Sequence, residues 1–114
     1  MVVVKLCQKQ SKFAQDVAKL IQYINTQGEY CTLAEAYRTP EQAALYAQQG
    51  KGIKNSLHCS RLAIDLCLFS ADWVYLTQAE PYKKYAEYWL TLDTSNRSGY
   101  FFPKIDANHF EHIL

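Results

Sequence analysis

The distribution of apolar residues predicts a β-strand in the middle of the chain. Between positions 61 and 68 an apolar side chain occupies every even position, namely Leu62, Ile64, Leu66 and Leu68. A period of two is the spacing of a strand with one face in the core. Asp65 lies at an odd position, so we expect its carboxylate to face away from the core, toward a cleft or solvent.

Two stretches on the N-terminal side of this strand have the spacing of helices. The first should be capped by Ser11 and end at Gly28, and its apolar stripe consists of Phe13, Val17, Leu20, Ile21 and Ile24. The second should begin at Thr39-Pro40-Glu41-Gln42, with Thr39 as N-cap and proline at the first helical position. We expect it to stop near Gly50.

The remaining segments complete an α+β prediction. Pro81 predicts the start of a third helix, whose apolar side would be Tyr82, Tyr85, Trp89 and Leu92. Residues 29–37 favour a strand, residues 93–99 a turn-rich loop, and residues 100–114 a closing strand or hairpin. Helices and strands do not alternate strictly. We therefore expect a small, mainly antiparallel sheet flanked by helices, in a single domain over residues 1–114.

Composition narrows the function classes. The 12 Lys and Arg residues nearly balance the 11 Asp and Glu residues, so net charge gives no indication of nucleic-acid binding. No apolar run is long enough to span a membrane. The apolar start at Met1–Leu6 is too short for a signal peptide. We therefore expect a cytoplasmic location in the producing cell and no membrane insertion.

Four residues suggest chemistry at a metal. His58, Asp65 and His109 offer two imidazoles and a carboxylate, which can hold zinc and leave its fourth position open for water. Asp106, three residues before His109, could then act as a general base. Judged on residue types alone, these side chains could equally be ordinary polar residues. Cys59 is a weaker ligand candidate, because adjacent side chains on an extended segment point to opposite faces.

These residues occur in the order of a known pair of motifs. Ser56-Leu57-His58-Cys59-Ser60-Arg61-Leu62-Ala63-Ile64-Asp65, with Asp106-Ala107-Asn108-His109 downstream, resembles the zinc D-Ala-D-Ala carboxypeptidase and L-alanyl-D-glutamate endopeptidase family. That family includes VanY-like vancomycin-resistance peptidases and many phage endolysins. The resemblance extends upstream to Glu35-Ala36-Tyr37-Arg38-Thr39, and it covers nearly the whole chain.

The resemblance implies a Hedgehog/DD-peptidase-like fold and one zinc ion held by His58, Asp65 and His109. Asp106 would be the general base and acid. Arg38 would stabilise the oxyanion or grip a substrate carboxylate, although a structural salt bridge is an alternative. Ser56 would bind substrate or merely cap the turn into the motif.

The implied function is a phage or prophage endolysin that cuts peptidoglycan stem peptides at the L-Ala–D-Glu bond. It would act as a monomer, after release from the cytoplasm. A D-Ala-D-Ala carboxypeptidase or dipeptidase is the alternative enzyme. A catalytically silent, zinc-containing wall-binding relative is the alternative in another class.

Four further features of the sequence bear on the site. Glu35 and Glu111 would orient the histidine ligands or be solvated charges. His112 is expected at the surface rather than as a fourth ligand. Arg61 stands where the broader family often has glycine, and Ser98-Gly99-Tyr100 replaces a Trp-Gly-Gly of the endolysin branch.

Overall fold

The computed structural model describes residues 4–53 and 55–114, and within them it contains three α-helices and one four-stranded sheet. Residues 1–3, the first part of the apolar start, and position 54 of the polar loop lie outside the described residues. The helices are α1 (Leu6–Thr26), α2 (Pro40–Gln48) and α3 (Lys83–Leu92). The strands are β1 (Tyr30–Leu33), β2 (Ala63–Phe69), β3 (Asn96–Ser98) and β4 (His109–His112). None of the described helices is long and apolar enough to cross a bilayer.

The sheet has the order β1-β2-β4-β3, and every neighbouring pair is antiparallel. The predicted α+β class with a small antiparallel sheet is therefore confirmed. In the centre of the sheet, Ile64 pairs with Phe110 and Asp65 pairs with His109. The last strand, β4, thus lies beside the strand predicted from the apolar alternation.

The two faces of β2 have different roles, as the alternation predicts. Its even-numbered residues and Phe110 of β4 are buried in the core. They pack there with residues from α1 and α3, namely Phe13, Leu20, Ile24, Tyr85 and Trp89. The odd-numbered face carries Asp65, which is only partly buried. Burying one face against helices leaves the opposite face available for polar chemistry.

The predicted helix boundaries are only partly correct. Helix α1 begins at Leu6, with Lys5 as N-cap, so Ser11 lies inside the helix and is not its cap. Gly28 follows the helix end with φ +77°, which is the left-handed conformation glycine adopts most readily. Thr39 caps α2 as predicted, because its hydroxyl accepts a hydrogen bond from the Gln42 amide at 3.1 Å.

Two strand predictions needed correction. Of the segment predicted as a strand over 29–37, only Tyr30–Leu33 forms strand β1, and the Ala34 amide and the Glu35 carbonyl continue the backbone hydrogen bonding to Asp65. The segment predicted as a loop over 93–99 contains β3, a three-residue strand. Strand β3 is too short to show alternation in the sequence. It exists because β4 supplies its hydrogen-bonding partners.

A buried polar network connects α1 to the edge strand β3 of the sheet. Asp16 is fully buried on α1 and receives hydrogen bonds from Lys12 Nζ at 2.5 Å and Asn96 Nδ2 at 3.1 Å. Asn96 Nδ2 also donates to the Trp89 carbonyl, while its Oδ1 lies 3.0 Å from His112 Nδ1. The Asn96 amide therefore satisfies groups on three other elements, α1, α3 and β4. His112 is buried here, which corrects the prediction of a surface position.

Replacing Asn96 with alanine should destabilise the fold by several kcal/mol, because it leaves more than one buried polar group unsatisfied at about 1–3 kcal/mol each. The free energy of unfolding, from urea titration followed by circular dichroism, measures this. Asn25→Ala, at an exposed position of α1, is the matched control and should stay within about 0.5 kcal/mol of the unchanged protein. Equal effects of the two substitutions would contradict the structural role of the network.

Candidate metal centre

The pairing of β2 with β4 brings together the residues of the predicted metal site. Asp65 and His109 are direct cross-strand neighbours, and His109 Nδ1 lies 3.0 Å from Asp65 Oδ1. His58 comes from a single 3₁₀ turn just before β2, and its Nε2 lies 3.4 Å from the same carboxylate oxygen. One ligand atom from each of the three lies within 4.8 Å of the others.

The turn that carries His58 is fixed by local hydrogen bonds. Ser56 caps it, because the Ser56 hydroxyl accepts a hydrogen bond from the His58 amide at 3.2 Å. The turn ends at Arg61 with φ +56°, a left-handed conformation that costs a non-glycine residue about 1–2 kcal/mol. Glycine would adopt this conformation without that cost. The guanidinium of Arg61 lies over the Tyr37 ring, 4.2 Å from its centroid.

The three side chains fit a zinc ion. Tetrahedral ligands about 2.0–2.2 Å from zinc lie about 3.3–3.6 Å apart, close to the 3.0 and 3.4 Å that separate the Asp65 oxygen from the two imidazole nitrogens. The second nitrogen of each ring has an acceptor. His58 Nδ1 donates to the Ala36 carbonyl at 2.9 Å, and His109 Nε2 donates to Glu111 Oε1 at 2.7 Å. His58 Nε2 and His109 Nδ1 are thereby directed at Asp65.

The charges of the metal-free group are strongly coupled. Burial raises the pKa of Asp65, but the hydrogen bonds and charges of His109 and His58 outweigh it and lower that pKa to about 2. Burial lowers the pKa of His109, but the carboxylates of Asp65 and Glu111 outweigh it and raise that pKa to about 9. Near neutral pH the metal-free His109 is therefore protonated. A metal ion that binds at Nδ1 must displace this proton.

The segment before β4 brings Asp106 to the same cleft. Burial in the cleft, with the Asp65 charge adding to it, raises the pKa of Asp106 against the opposing effects of His109, His58 and Arg38. Its backbone is fixed by Gly99, because the Asp106 amide donates to the Gly99 carbonyl at 2.9 Å. A Cβ on Gly99 would lie 2.0 Å from the Asp106 carbonyl oxygen and 3.0 Å from the Cβ of His109. Only glycine fits this contact.

Arg38 lies at the wall of the cleft and is restrained on two sides. Its Nε donates to Glu35 in a short ion pair, and its Nη1 donates to the Ser56 hydroxyl at 3.3 Å. Its guanidinium also lies 5.1 Å from the centroid of the Tyr46 ring. Glu35 therefore holds Arg38 rather than a histidine ligand. Ser56 both caps the turn and contacts the arginine.

The cleft has a volume of about 810 Å³, and Arg38, Ser56, His58, Asp65, Asp106 and His109 all line it. All the predicted site residues thus face one cavity. Sequence reasoning gave no role to two further residues that support it, Arg97 and Gly99. Gly99 was noted in the sequence only as part of Ser98-Gly99-Tyr100, whereas Arg97 belongs to no recognisable motif.

Cys59 lies outside the group of candidate metal ligands among the described residues. Its turn is a 3₁₀ helix rather than the extended segment we predicted, and its thiol points toward the Thr39 carbonyl at 3.8 Å. Cys59 was ranked as the weaker ligand candidate on the basis of the wrong local geometry.

Comparison with solved structures identifies the fold. The L-Ala D-Glu endopeptidase ChiX of Serratia marcescens is similar with a TM-score of 0.73 at 15% identity, over 88% of this chain and 77% of that one. A mutant of the vancomycin resistance D,D-pentapeptidase VanY from a VanB-type cassette, in complex with Zn(II), is similar with a TM-score of 0.60 at 18% identity, over 90% and 71%. The implied peptidase fold is thereby confirmed. No family model and no curated protein sequence matches the chain.

The protein should bind one zinc ion, and His58→Ala, Asp65→Asn or His109→Ala should each abolish stoichiometric binding, because each removes one of three ligands. Binding should tighten from neutral pH to about 9 as His109 loses its proton. Titration of metal-free protein against a chromophoric chelator measures both effects. Cys59→Ala is the control that should bind zinc unchanged; loss of zinc from that variant would show that the ligand set is wrong.

Gly99→Ala should destabilise the protein by about 1–3 kcal/mol or more and weaken zinc binding, since the new methyl group displaces the Asp106–His109 segment. Chemical unfolding and the zinc titration report the two effects. Gly52→Ala is the control in the same cleft, because its Cβ would make only ordinary contacts, at 3.6 Å or more. A Gly99→Ala protein as stable as the Gly52→Ala protein would contradict the close approach of Gly99 to the Asp106 carbonyl oxygen.

Proposed function

We propose that this protein is a zinc metallopeptidase that hydrolyses peptidoglycan stem peptides. The observation that carries the proposal is the convergence of His58, Asp65 and His109 in a cleft that Asp106 and Arg38 also line. The same fold occurs in ChiX, described as an L-Ala D-Glu endopeptidase, and in VanY, described as a D,D-pentapeptidase with Zn(II). A purely structural zinc site would need neither a free carboxylate nor an arginine beside it.

Zinc and Asp106 would have separate roles in peptide hydrolysis. Bound zinc would supply a Lewis acid that polarises the scissile carbonyl and activates the attacking water. The Asp106 carboxylate takes a proton from that water and passes it to the leaving amine. Its raised pKa suits both steps, because a carboxyl group that is too acidic holds the transferred proton poorly. The two histidine ligands are oriented by Ala36 and Glu111, and both lie beside the Asp65 carboxylate, so the geometry exists before substrate binds.

Arg38 is the group that would interact with negative charge on the substrate. Glu35 and Ser56 hold its Nε and Nη1, so the guanidinium is oriented at the cleft wall. From this place it would stabilise the oxyanion or bind a substrate carboxylate. The contacts with Glu35 and Ser56 also make it part of the scaffold. Ser56 contributes through this arginine and through the cap on the His58 turn.

The favoured bond is L-Ala–D-Glu, in the manner of an endolysin from a phage or prophage. ChiX gives the higher TM-score of the two structures compared, and Asp106 is the shorter base that the endolysin branch of the resembling family uses. The enzyme would act as a monomer on the wall, after leaving the cytoplasm of the producing bacterium. A D-Ala-D-Ala carboxypeptidase is the second candidate, supported by the VanY fold.

Asp106→Asn should keep zinc and fold yet lose hydrolysis by about 10²–10⁴-fold, since the amide keeps the shape but cannot accept the proton. Purified peptidoglycan is digested with the zinc-loaded proteins, and the new termini are identified by mass spectrometry. Asp72→Asn, at an exposed position outside the cleft lining, is the matched control and should cleave at the rate of the unchanged protein.

The termini also decide between the candidates. New N-terminal D-Glu indicates the endopeptidase, and released D-Ala indicates the carboxypeptidase. Cleavage by Asp106→Asn at the unchanged rate would show that another group is the base. A zinc-loaded protein that cuts neither bond would favour the catalytically silent wall-binding relative.

A further inference from the structure

The carboxylate that orients His109 is itself held by an arginine. Glu111 lies two residues after His109 on the same face of β4, and it is buried. Its Oε1 accepts the hydrogen bond from His109 Nε2. Its Oε2 accepts two hydrogen bonds from Arg97, one from Nε at 2.8 Å and a shorter one from Nη2. The two oxygens of one carboxylate therefore have separate partners.

Arg97 is well placed to fix the direction of this carboxylate. Its backbone is the cross-strand partner of Glu111, and its carbonyl accepts a hydrogen bond from Trp89 Nε1 at 3.0 Å. The same indole donates to the Glu111 carbonyl at 3.1 Å. The backbones of both residues are thus tied to the buried Trp89. Two donors on one oxygen restrict rotation of the carboxylate, which a single ammonium donor would not do.

The two histidine ligands differ in the kind of group that orients each imidazole. His58 is held by the backbone carbonyl of Ala36, which cannot rotate independently of the chain. His109 is held by a side chain, whose torsions are free unless something else restrains them. A carboxylate free to turn would let the imidazole turn with it. Orientation of a ligand histidine affects metal affinity by about 10–100-fold.

We propose that Arg97 is a positioning residue for the metal centre: it fixes Glu111 so that His109 directs Nδ1 at the ion. The inference rests on the zinc site of the proposed function but not on the peptidase activity. Arg97 touches neither the ligand atoms nor the reacting groups. It acts through Glu111 and His109 alone.

The direction in which zinc affinity changes on removal of Arg97 distinguishes a positioning role from simple charge repulsion. Arg97 is a cation lining the same cleft as the proposed zinc ligands, so removing its charge should strengthen zinc binding on Coulombic grounds alone. If Arg97 positions His109, removing it should weaken binding instead. Lys104 is a second cation that lines the cleft; it is exposed, and among the described residues Glu111 forms its ion pair with Arg97 and not with Lys104.

The test compares zinc dissociation constants of Arg97→Gln, Arg97→Lys and Lys104→Gln by competition with a chromophoric chelator, with circular dichroism of each metal-free protein as a check on folding. Arg97→Gln should weaken zinc binding by about 10–100-fold. Arg97→Lys should also weaken it, because it keeps the charge and loses the two-donor contact. Lys104→Gln should bind zinc as well as the unchanged protein, or slightly more tightly.

Zinc binding by Arg97→Gln equal to that of Lys104→Gln would overturn the inference, and so would an Arg97→Lys protein with unchanged affinity. If Arg97→Gln does not fold, the zinc dissociation constants of Arg97→Lys and Lys104→Gln are sufficient to test the inference. The outcomes also separate the two proposals. An Arg97 effect in a protein that cleaves no peptide would leave the inference standing and remove the proposed function. An unchanged protein that binds no zinc would remove both.

Discussion

The antiparallel register between β2 and β4 is the constraint on which the rest of the structure depends. It pairs Ile64 with Phe110 on the side of the core and Asp65 with His109 on the side of the cleft. Burial of the first pair therefore determines the position of the second. A shift of one residue would move the ligand pair into the core and the apolar pair into water, so the hydrophobic free energy that stabilises the fold also specifies the site.

This arrangement concentrates charge on one face of the sheet. Asp65, His109, Glu111 and Arg97 lie side by side there in an alternating sequence of ion pairs. Each buried charge has a partner, so the cost of removing it from water is offset locally. Without metal, a proton on His109 supplies part of this balance. A zinc ion would replace that proton with a stronger positive charge and add its binding free energy to the stability of the fold.

Features with a local physical signature could be predicted from the sequence. The alternation of β2 and the capping sequence of α2 are of this kind, and both are confirmed. The site residues carried over by resemblance all line one cleft. The start of α1 is marked by a local contact that the Ser11 prediction overlooked, in which Gln8 Oε1 accepts a hydrogen bond from the Lys5 amide. The strand β3 and the burial of His112 could not be predicted, because tertiary contacts decide them. Asn96 hydrogen-bonds the buried His112 and connects β3 to α1 through Asp16, which lies 80 positions earlier in the chain.

The central claim is that the fold presents three particular atoms to one zinc ion. A crystal structure of the zinc-loaded protein, with anomalous scattering measured at the zinc edge, tests it most directly. The account predicts a single zinc about 2.0–2.2 Å from His58 Nε2, an Asp65 carboxylate oxygen and His109 Nδ1, with Glu111 still bonded to His109 Nε2 and a fourth position open to the cleft. A zinc ion bound through His109 Nε2, or at a site without Asp65, would contradict it.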